Sequence, residues 1–157
     1  MLAKESKIYI AGHSGMVGSA CWKIFKQAGY LNLIGKNSSQ LDLRNQNDTM
    51  NFISTEKPDL IIDAAAKVGG ILANDTKPYD FLMDNMLIQN SLINAAKTLN
   101  IPKFIFLGSS CIYPKMSPQP IKEEYLLSDY LEPTNEWYAI AKISGVKLIE
   151  SLRKQYG

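Results

Sequence analysis

The chain has 157 residues, of which 17 are basic and 15 acidic, so its formal net charge is +2. That length suits one domain, and the longest basic run, Arg153-Lys154, is too short to indicate nucleic acid as the main partner. Cys21 and Cys111 show no metal-ligand spacing, and no apolar run approaches the ~20 residues that a bilayer requires. We therefore expect a cytoplasmic protein with no disulfide framework, metal site or membrane segment.

The first residues predict a strand, a glycine turn and a helix. Residues 7–11 are a short β-prone apolar run, and apolar side chains recur at helical spacing from Met16 onward. Between them lies a G-x-x-G-x-x-G motif, whose glycines permit a tight turn, close approach of a pyrophosphate and close packing of the helix on the sheet. A tight turn without a ligand is the alternative. We expect the motif to bind a dinucleotide through Gly12, His13, Ser14, Gly15, Met16, Val17 and Gly18.

Strands and helices alternate along the rest of the chain. Short apolar runs predict strands at 31–34, 60–66 and 103–108. We expect the strands at 60–66 and 103–108 to be buried. Helical periodicity and stop signals predict helices at 48–55, 78–99 and 138–155. We also expect a loop after Gly70 and a long loop over 109–135. This order indicates an α/β protein with a doubly wound parallel sheet, the Rossmann fold.

The predicted domain, residues 1–157, is incomplete on this interpretation. A doubly wound sheet usually continues with a further strand, and without it the segment 104–107 presents an apolar, unpaired edge. We therefore expect the chain to be truncated before the last strand or strands of a longer protein. Gly157, preceded by basic residues in the last turn, is predicted to end the final helix.

Two side chains of the final helix indicate acid–base chemistry. Tyr138 and Lys142 are four residues apart, so they share a helix face, where the cation can stabilise the phenolate form of the tyrosine. A phenol in that setting is a usable proton donor near neutral pH. The pattern alone is weak, because a tyrosine packed beside a solvated lysine has the same spacing. Ser109 and Cys111, which follow the preceding predicted strand, add a third signature.

Together these motifs resemble the short-chain dehydrogenase/reductases. The interval from Gly12 to Gly15 is the form found there, and the Tyr-x-x-x-Lys pattern belongs to the same proteins. Longer segments, 64–71, 106–115 and 132–142, resemble the GDP-L-fucose synthase family of extended short-chain enzymes. The resemblance covers essentially the whole chain but only about the first half of such an enzyme. It implies that the sugar-nucleotide domain is absent here.

The resemblance implies a two-part reaction on GDP-4-keto-6-deoxy-D-mannose: epimerisation at C3 and C5, then NADPH-dependent reduction at C4. On that basis Tyr138 donates a proton to the C4 oxygen, Lys142 also holds the nicotinamide ribose, and Ser109 hydrogen-bonds the keto oxygen. Cys111 is the implied acid/base for epimerisation; an inert, buried cysteine is the alternative. The assisting histidine of the family must lie beyond Gly157, because His13 is in the glycine turn. Further implied cofactor contacts are Ala64, Ala65, Ala66, Leu107 and Gly108.

One departure from the family pattern bears on the cofactor. Ser14 and Ser38 occupy positions where family arginines hold the 2′-phosphate of NADPH, yet no acidic residue ends the second strand to favour NAD. Lys36 could bind the phosphate as a point charge, so we expect NADP rather than NAD. Two further residues have open interpretations. Lys67 could approach the nucleotide or be solvated, and Asn85 could orient a water or backbone group.

Other functions remain open from the sequence. The chain could belong to another extended short-chain nucleotide-sugar epimerase or dehydratase, or it could bind nucleotide without catalysis. The helices at 78–99 and 138–155 could also pair with those of a second copy in a homodimer, using apolar side chains of Met86, Ile93 and Trp137. The alternative for these three residues is that they face the sheet.

Overall fold

A computed structural model describes residues 2–157 of the chain. Its sheet has four parallel strands in the order β2-β1-β3-β4. The strands are β1 (Ile8–Ala11), β2 (Leu33–Ile34), β3 (Leu60–Asp63) and β4 (Lys103–Phe106). The helices are α1 (Met16–Gln27), α2 (Gln46–Glu56), α3 (Ile71–Thr76), α4 (Pro78–Thr98) and α5 (Glu136–Tyr156). A parallel sheet with helices between its strands confirms the predicted α/β Rossmann-like class.

The chain divides into two compact units. The first, which we call the sheet unit, comprises residues up to Ala66 together with Leu87–Leu107. The second, the helix unit, comprises Lys67–Met86 and Gly108–Gly157 and contains α3 and α5. The assignment of 1–157 to one incomplete domain stays a prediction.

Both faces of the sheet unit's central strands are buried. On one face Tyr9 and Ile61 pack with Ile53 of α2 and Leu92 of α4. The other face carries a second cluster, formed by Ile8, Ile10, Leu60 and Ile62 with partly buried side chains that include Cys21, Trp22 and Phe25. Each fully buried isoleucine contributes about 1.5–3 kcal/mol relative to an exposed one. The two clusters therefore fix the strand ends from which the glycine turn and the 64–66 loop emerge.

Local signals set several helix ends. The Asn45 side chain caps α2 by accepting hydrogen bonds from the backbone N–H groups of Asn47 (3.0 Å) and Asp48 (3.2 Å). That helix ends at Lys57, which is left-handed (φ 48°) and is followed by proline. Helix α5 begins two residues before its predicted start, and the Gly157 N–H donates to the Arg153 carbonyl at 3.1 Å, as expected of a C-cap. Within residues 2–157, no helix combines the length and apolarity needed to cross a membrane.

Two predictions are corrected here. Of the two expectations for this strand, burial over 103–108 is wrong, whereas an unpaired apolar edge at 104–107 is confirmed: within the described chain β4 pairs only with β3, and Ile105 is 46% exposed. The segment after Gly70 was expected to be a loop and instead forms α3. The Asn74 side chain donates to the carbonyls of Gly69 (2.9 Å) and Gly70 (3.1 Å), the two residues before the helix. These hydrogen bonds stabilise a short helix that apolar periodicity did not predict.

Candidate active site and cofactor cradle

The glycine turn of the sheet unit leaves no room for side chains at two of its three glycines. Gly12 has φ +74°, and a Cβ there would lie 2.7 Å from the carbonyl oxygen of Ala64. At Gly18 an added Cβ would lie 2.1 Å from the Gly12 carbonyl oxygen, whereas at Gly15 the nearest atom is 3.3 Å away. The motif therefore brings the start of α1 against the turn, and the turn against the 64–66 loop.

The N-terminus of α1 suits a phosphate group. Gly15 is its N-cap and supplies no side-chain hydrogen bond to the first turn. Ser14 and Val17 are exposed, and Met16 is 88% exposed. Backbone N–H groups at an exposed helix start, with the positive end of the helix dipole, attract an anion. The predicted dinucleotide contacts at 12–18 therefore have a suitable local structure.

A buried carboxylate shapes the 64–66 loop. Asp63 is fully buried at the end of β3, and its Oδ1 accepts a hydrogen bond from the Ala65 N–H at 3.2 Å. Burial raises the pKa of the neighbouring Tyr9 phenol well above its usual range, and the charge of Asp63 adds to the rise. Sequence reasoning missed this role, although an acidic residue inside an apolar strand is the signal that could have found it. At the end of the next strand, Leu107 donates its N–H to the Asp63 carbonyl at 3.3 Å.

His13 shapes the end of β2. Its imidazole lies directly over Gly35, where an added Cβ would approach the ring to 2.4 Å, and its ring centroid is 5.5 Å from that of Trp22. Lys36, the predicted partner of the 2′-phosphate, follows Gly35 and is half-buried. After it, Asn37 Oδ1 accepts from the Gln40 N–H at 3.1 Å and forms a turn. The histidine therefore fixes the backbone that presents Lys36.

The four predicted catalytic residues all belong to the helix unit. Cys111 lies in a 3-10 turn, Ser110–Ile112, that packs against α5, the helix that carries Tyr138 and Lys142. The Cys111 thiol donates to Ser109 Oγ at 3.2 Å, so the serine's own proton remains able to donate to a ligand oxygen. Tyr138 is half-buried, and Lys142 is only 4% exposed. Gly108 belongs to the same unit and lies two residues before this turn.

Lys67 and Asn85 form a backbone clamp in the helix unit. Asn85 is buried; its Oδ1 accepts from the Lys67 N–H at 2.8 Å, and its Nδ2 donates to the Lys67 carbonyl at 3.0 Å. The Lys67 ammonium is 2.8 Å from Asp84, which through this hydrogen bond raises the pKa of the lysine. Of the two interpretations of Asn85, orientation of a backbone group is the one observed. Lys67 is ion-paired rather than merely solvated.

Comparison with known proteins is decisive at the level of family. The model of the NAD dependent epimerase/dehydratase family matches residues 8–157. The chain belongs to that family. It is 53% identical over 156 residues to a putative GDP-L-fucose synthase 2 of Arabidopsis thaliana, covering 99% of this chain and 48% of that protein. It is 48% identical over 153 residues to the GDP-L-fucose synthase of Escherichia coli, covering 98% of this chain and 48% of that protein.

A solved structure supports the same relationship. The GDP-mannoheptose C4 reductase of Campylobacter jejuni with NADP bound superposes with a TM-score of 0.96 at 38% identity, covering all of this chain and 50% of that one. The chain therefore spans about half the length of the relatives it matches. Both the resemblance to GDP-L-fucose synthases and its extent, about half of such an enzyme, are confirmed.

Proposed function

We propose that this chain is the cofactor-binding part of an NADPH-dependent enzyme that converts GDP-4-keto-6-deoxy-D-mannose to GDP-L-fucose. The observation that carries the proposal is the grouping of Ser109, Cys111, Tyr138 and Lys142 in one compact unit, with the turn that bears the thiol packed on the helix that bears the phenol. About 50% identity to proteins named GDP-L-fucose synthase supports the choice of substrate.

In the reduction step, the phenol of Tyr138 transfers its proton to the C4 oxygen as that oxygen gains negative charge. NADPH, when bound, supplies the hydride that reaches C4. Ser109 donates a hydrogen bond to the same oxygen, and the buried cation of Lys142 favours the phenolate that remains on Tyr138. The residues suited to hold the cofactor are the glycine turn at 12–18, the 64–66 loop, Leu107, Gly108 and Lys142.

In the epimerisation step, Cys111 removes a proton from C3 or C5 as a thiolate, and the carbonyl at C4 stabilises the resulting carbanion as an enolate. A second acid, either another group or solvent, then delivers a proton to the opposite face of the carbon, and the Cys111 thiol releases the proton it took to solvent. A thiolate can act as a base toward a carbon acid, whereas a serine hydroxyl needs a separate base to do so.

For the cofactor we propose NADP over NAD. Lys36 offers a cation two residues after the end of β2, and residues 33–38 include no carboxylate to bind a ribose 2′-hydroxyl. The NADP-bound relative from Campylobacter jejuni agrees with this choice. Replacing Lys36 by Met should raise the Kd for NADPH more than the Kd for NADH; an equal change for both would contradict a contact with the 2′-phosphate.

The test of the substrate uses the full-length protein, GDP-4-keto-6-deoxy-D-mannose and NADPH. We expect GDP-L-fucose as product. Cys111→Ser should abolish exchange of the C3 and C5 protons with deuterated solvent, and the matched control Cys21→Ser should leave it intact. Failure of the wild-type protein to form GDP-L-fucose, with NADPH bound, would contradict the proposal.

A second candidate is the same chemistry on another GDP-keto-sugar. Relatives of this chain include a GDP-L-colitose synthase from Yersinia pseudotuberculosis at 41% identity, besides the mannoheptose reductase. Presenting a panel of GDP-4-keto-sugars to the protein separates the two candidates by their relative kcat/KM.

We also propose cytoplasmic function as a homodimer. Both cysteines are free, which agrees with a reducing compartment. Among the side chains expected at the interface, Trp137 is exposed and Met86 half-exposed, but Ile93 is buried (3% exposed) and does not contribute surface. Sedimentation of wild type and Trp137→Glu tests the pairing; an unchanged mass for the variant contradicts it.

A further inference from the structure

The helix unit contains an ion pair that the proposed chemistry does not use. Lys115 Nζ lies 2.7 Å from Glu132 Oε2, and the Lys115 N–H also donates to the Tyr130 carbonyl at 3.0 Å. We call these two contacts the Lys115–Glu132 strap. Between its ends run the residues 116–131, which include the exposed side chains of Met116 and Tyr130. The strap closes this segment at its base.

The ends of the strap adjoin the candidate catalytic residues along the chain. Lys115 is four residues after Cys111, and Glu132 is six residues before Tyr138. A free connection as long as 116–131 does not hold its ends at a fixed separation, and closing it costs conformational entropy. The strap holds the two ends of the 116–131 segment together, although neither Lys115 nor Glu132 is a proposed catalytic residue.

Glu132 is tied to its surroundings by more than the lysine. Its Oε1 accepts from the Thr134 hydroxyl at 3.3 Å, at the start of the 3-10 turn Pro133–Asn135, and this turn packs against both α3 and α5. The hydrogen bond from Lys115 is the main cause that holds the pKa of Glu132 below its usual range. The carboxylate therefore links Lys115 to the base on which α5 begins.

We infer that Lys115 and Glu132 are positioning residues, which set the place of the Ser109–Cys111 turn relative to Tyr138. The expected effect of the strap on turnover rests on the proposed function, whereas its expected effect on the reactivity of the Cys111 thiol does not. Both side chains remain partly exposed, so the pair adds little to global stability. Its effect should instead appear in the geometry of the site, where small displacements of reacting groups are costly.

The first test measures the geometry without any substrate. In a Cys21→Ser background, the rate at which iodoacetamide alkylates Cys111 is compared between wild type, Lys115→Met, Glu132→Gln and the double variant. We expect each single variant to raise the rate about threefold to tenfold and the double variant to add nothing further, because both changes cut the same link. Lys115→Arg, which keeps the cation, should restore the wild-type rate.

The matched control is Lys147→Met, which cuts a 2.8 Å ion pair with Glu150 on the exposed side of α5 in the same unit. It should leave the alkylation rate unchanged. An unchanged rate in both single strap variants, or a double variant whose effect is the product of the two, would overturn the inference.

The second test measures turnover in the full-length protein. The single strap variants should lower kcat about threefold to tenfold while the KM for NADPH stays constant, since the glycine turn is untouched, and Lys115→Arg should again restore kcat. A rise in the KM for NADPH without loss of kcat would overturn the positioning role. If wild type does not turn over the GDP-keto-sugar at all, the proposed function fails, and the alkylation rates still decide the strap.

Discussion

The glycine turn of the sheet unit and the 108–135 segment of the helix unit are ordered by different means. At Gly12 and Gly18 the backbone approaches other backbone so closely that an added Cβ would overlap it. In the 108–135 segment, side chains set the shape: the thiol of Cys111 bonds to Ser109, and the ammonium of Lys115 pairs with Glu132. A region fixed by backbone sterics tolerates almost no substitution at its contact points, whereas a region fixed by side-chain pairs tolerates conservative exchange.

The difference also separates binding from chemistry. The residues suited to the pyrophosphate belong to the glycine turn of the sheet unit, whereas Ser109, Cys111 and Tyr138, which are proposed to transfer protons, belong to the helix unit. Substitutions in the glycine turn should therefore change affinity for the cofactor, and substitutions at Ser109, Cys111 or Tyr138 should change the rate of turnover.

The largest expected effect tests the second half of this division. Tyr138→Phe removes the hydroxyl that is the proposed proton donor with little change in side-chain volume, so kcat for C4 reduction in the full-length protein should fall about 10²–10⁴-fold. Affinity for NADPH, measured by fluorescence titration, should stay within about twofold of wild type. The matched control is Tyr156→Phe, on the exposed end of the same helix, which should retain full activity. Loss of NADPH affinity in Tyr138→Phe would break the division.

The next prediction tests the first half. Gly18→Ala forces a methyl group to within 2.1 Å of the Gly12 carbonyl oxygen, so the turn must shift. Overpacking of this kind costs about 1–3 kcal/mol. Because the shifted turn no longer presents its N–H groups to the pyrophosphate, the Kd for NADPH should rise about tenfold or more. Gly70→Ala is the control, because no atom lies within 4 Å of the added methyl group. Equal Kd values for both variants would show that the turn is less rigid than its contacts indicate.

A smaller effect is expected at the Asn85 clamp. Asn85→Ala leaves the N–H and carbonyl of Lys67 without the partners that now lie at 2.8 Å and 3.0 Å. The free energy of unfolding, from urea titration, should fall by about 1–3 kcal/mol. Asn90→Ala, at an exposed position of the same helix, should change it by less than about 0.5 kcal/mol. If the two variants are equally stable, the clamp does not hold the segment.

The smallest effect concerns α2, a helix of the sheet unit that carries none of the proposed catalytic residues. Asn45→Ala removes the side chain that caps α2 and should lower the free energy of unfolding by about 1 kcal/mol. Asn45→Asp keeps an acceptor and should retain most of the stability. Neither variant should change kcat; a change in kcat would show that α2 is coupled to the catalytic residues.

The sequence predicted the elements of the sheet well because their signals are local. Apolar runs, the glycine motif and Lys57-Pro58 place β1, α1 and the end of α2 within a few residues. The apolar run at 103–108 was wrongly interpreted as buried, because such a run does not tell whether a neighbouring strand covers it; the separate expectation of an unpaired edge at 104–107 is confirmed. Helix α3 was missed because it has no long apolar periodicity; hydrogen bonds from the Asn74 side chain to the carbonyls of Gly69 and Gly70 stabilise it instead.

For the candidate site, residue types were easier to predict than their supports. Tyr138, Lys142, Ser109 and Cys111 follow from spacing and resemblance, and their assigned roles remain predictions. Asp63 beneath the 64–66 loop and Glu132 at the base of the long segment were not singled out. Both act through partners distant in sequence or through backbone atoms, and a single sequence carries no direct signal of such pairings.

The missing side-chain cap at Gly15 has a thermodynamic consequence. No side chain caps the first-turn amides of α1, so they are available to an anion, and an anion that binds only the folded state raises stability by RT ln(1 + [L]/Kd). At a hundredfold excess of ligand over Kd, this amounts to about 2.7 kcal/mol. The melting temperature of the chain should therefore rise with the logarithm of nucleotide concentration, and thermal denaturation can rank NADPH, NADH and pyrophosphate without any substrate.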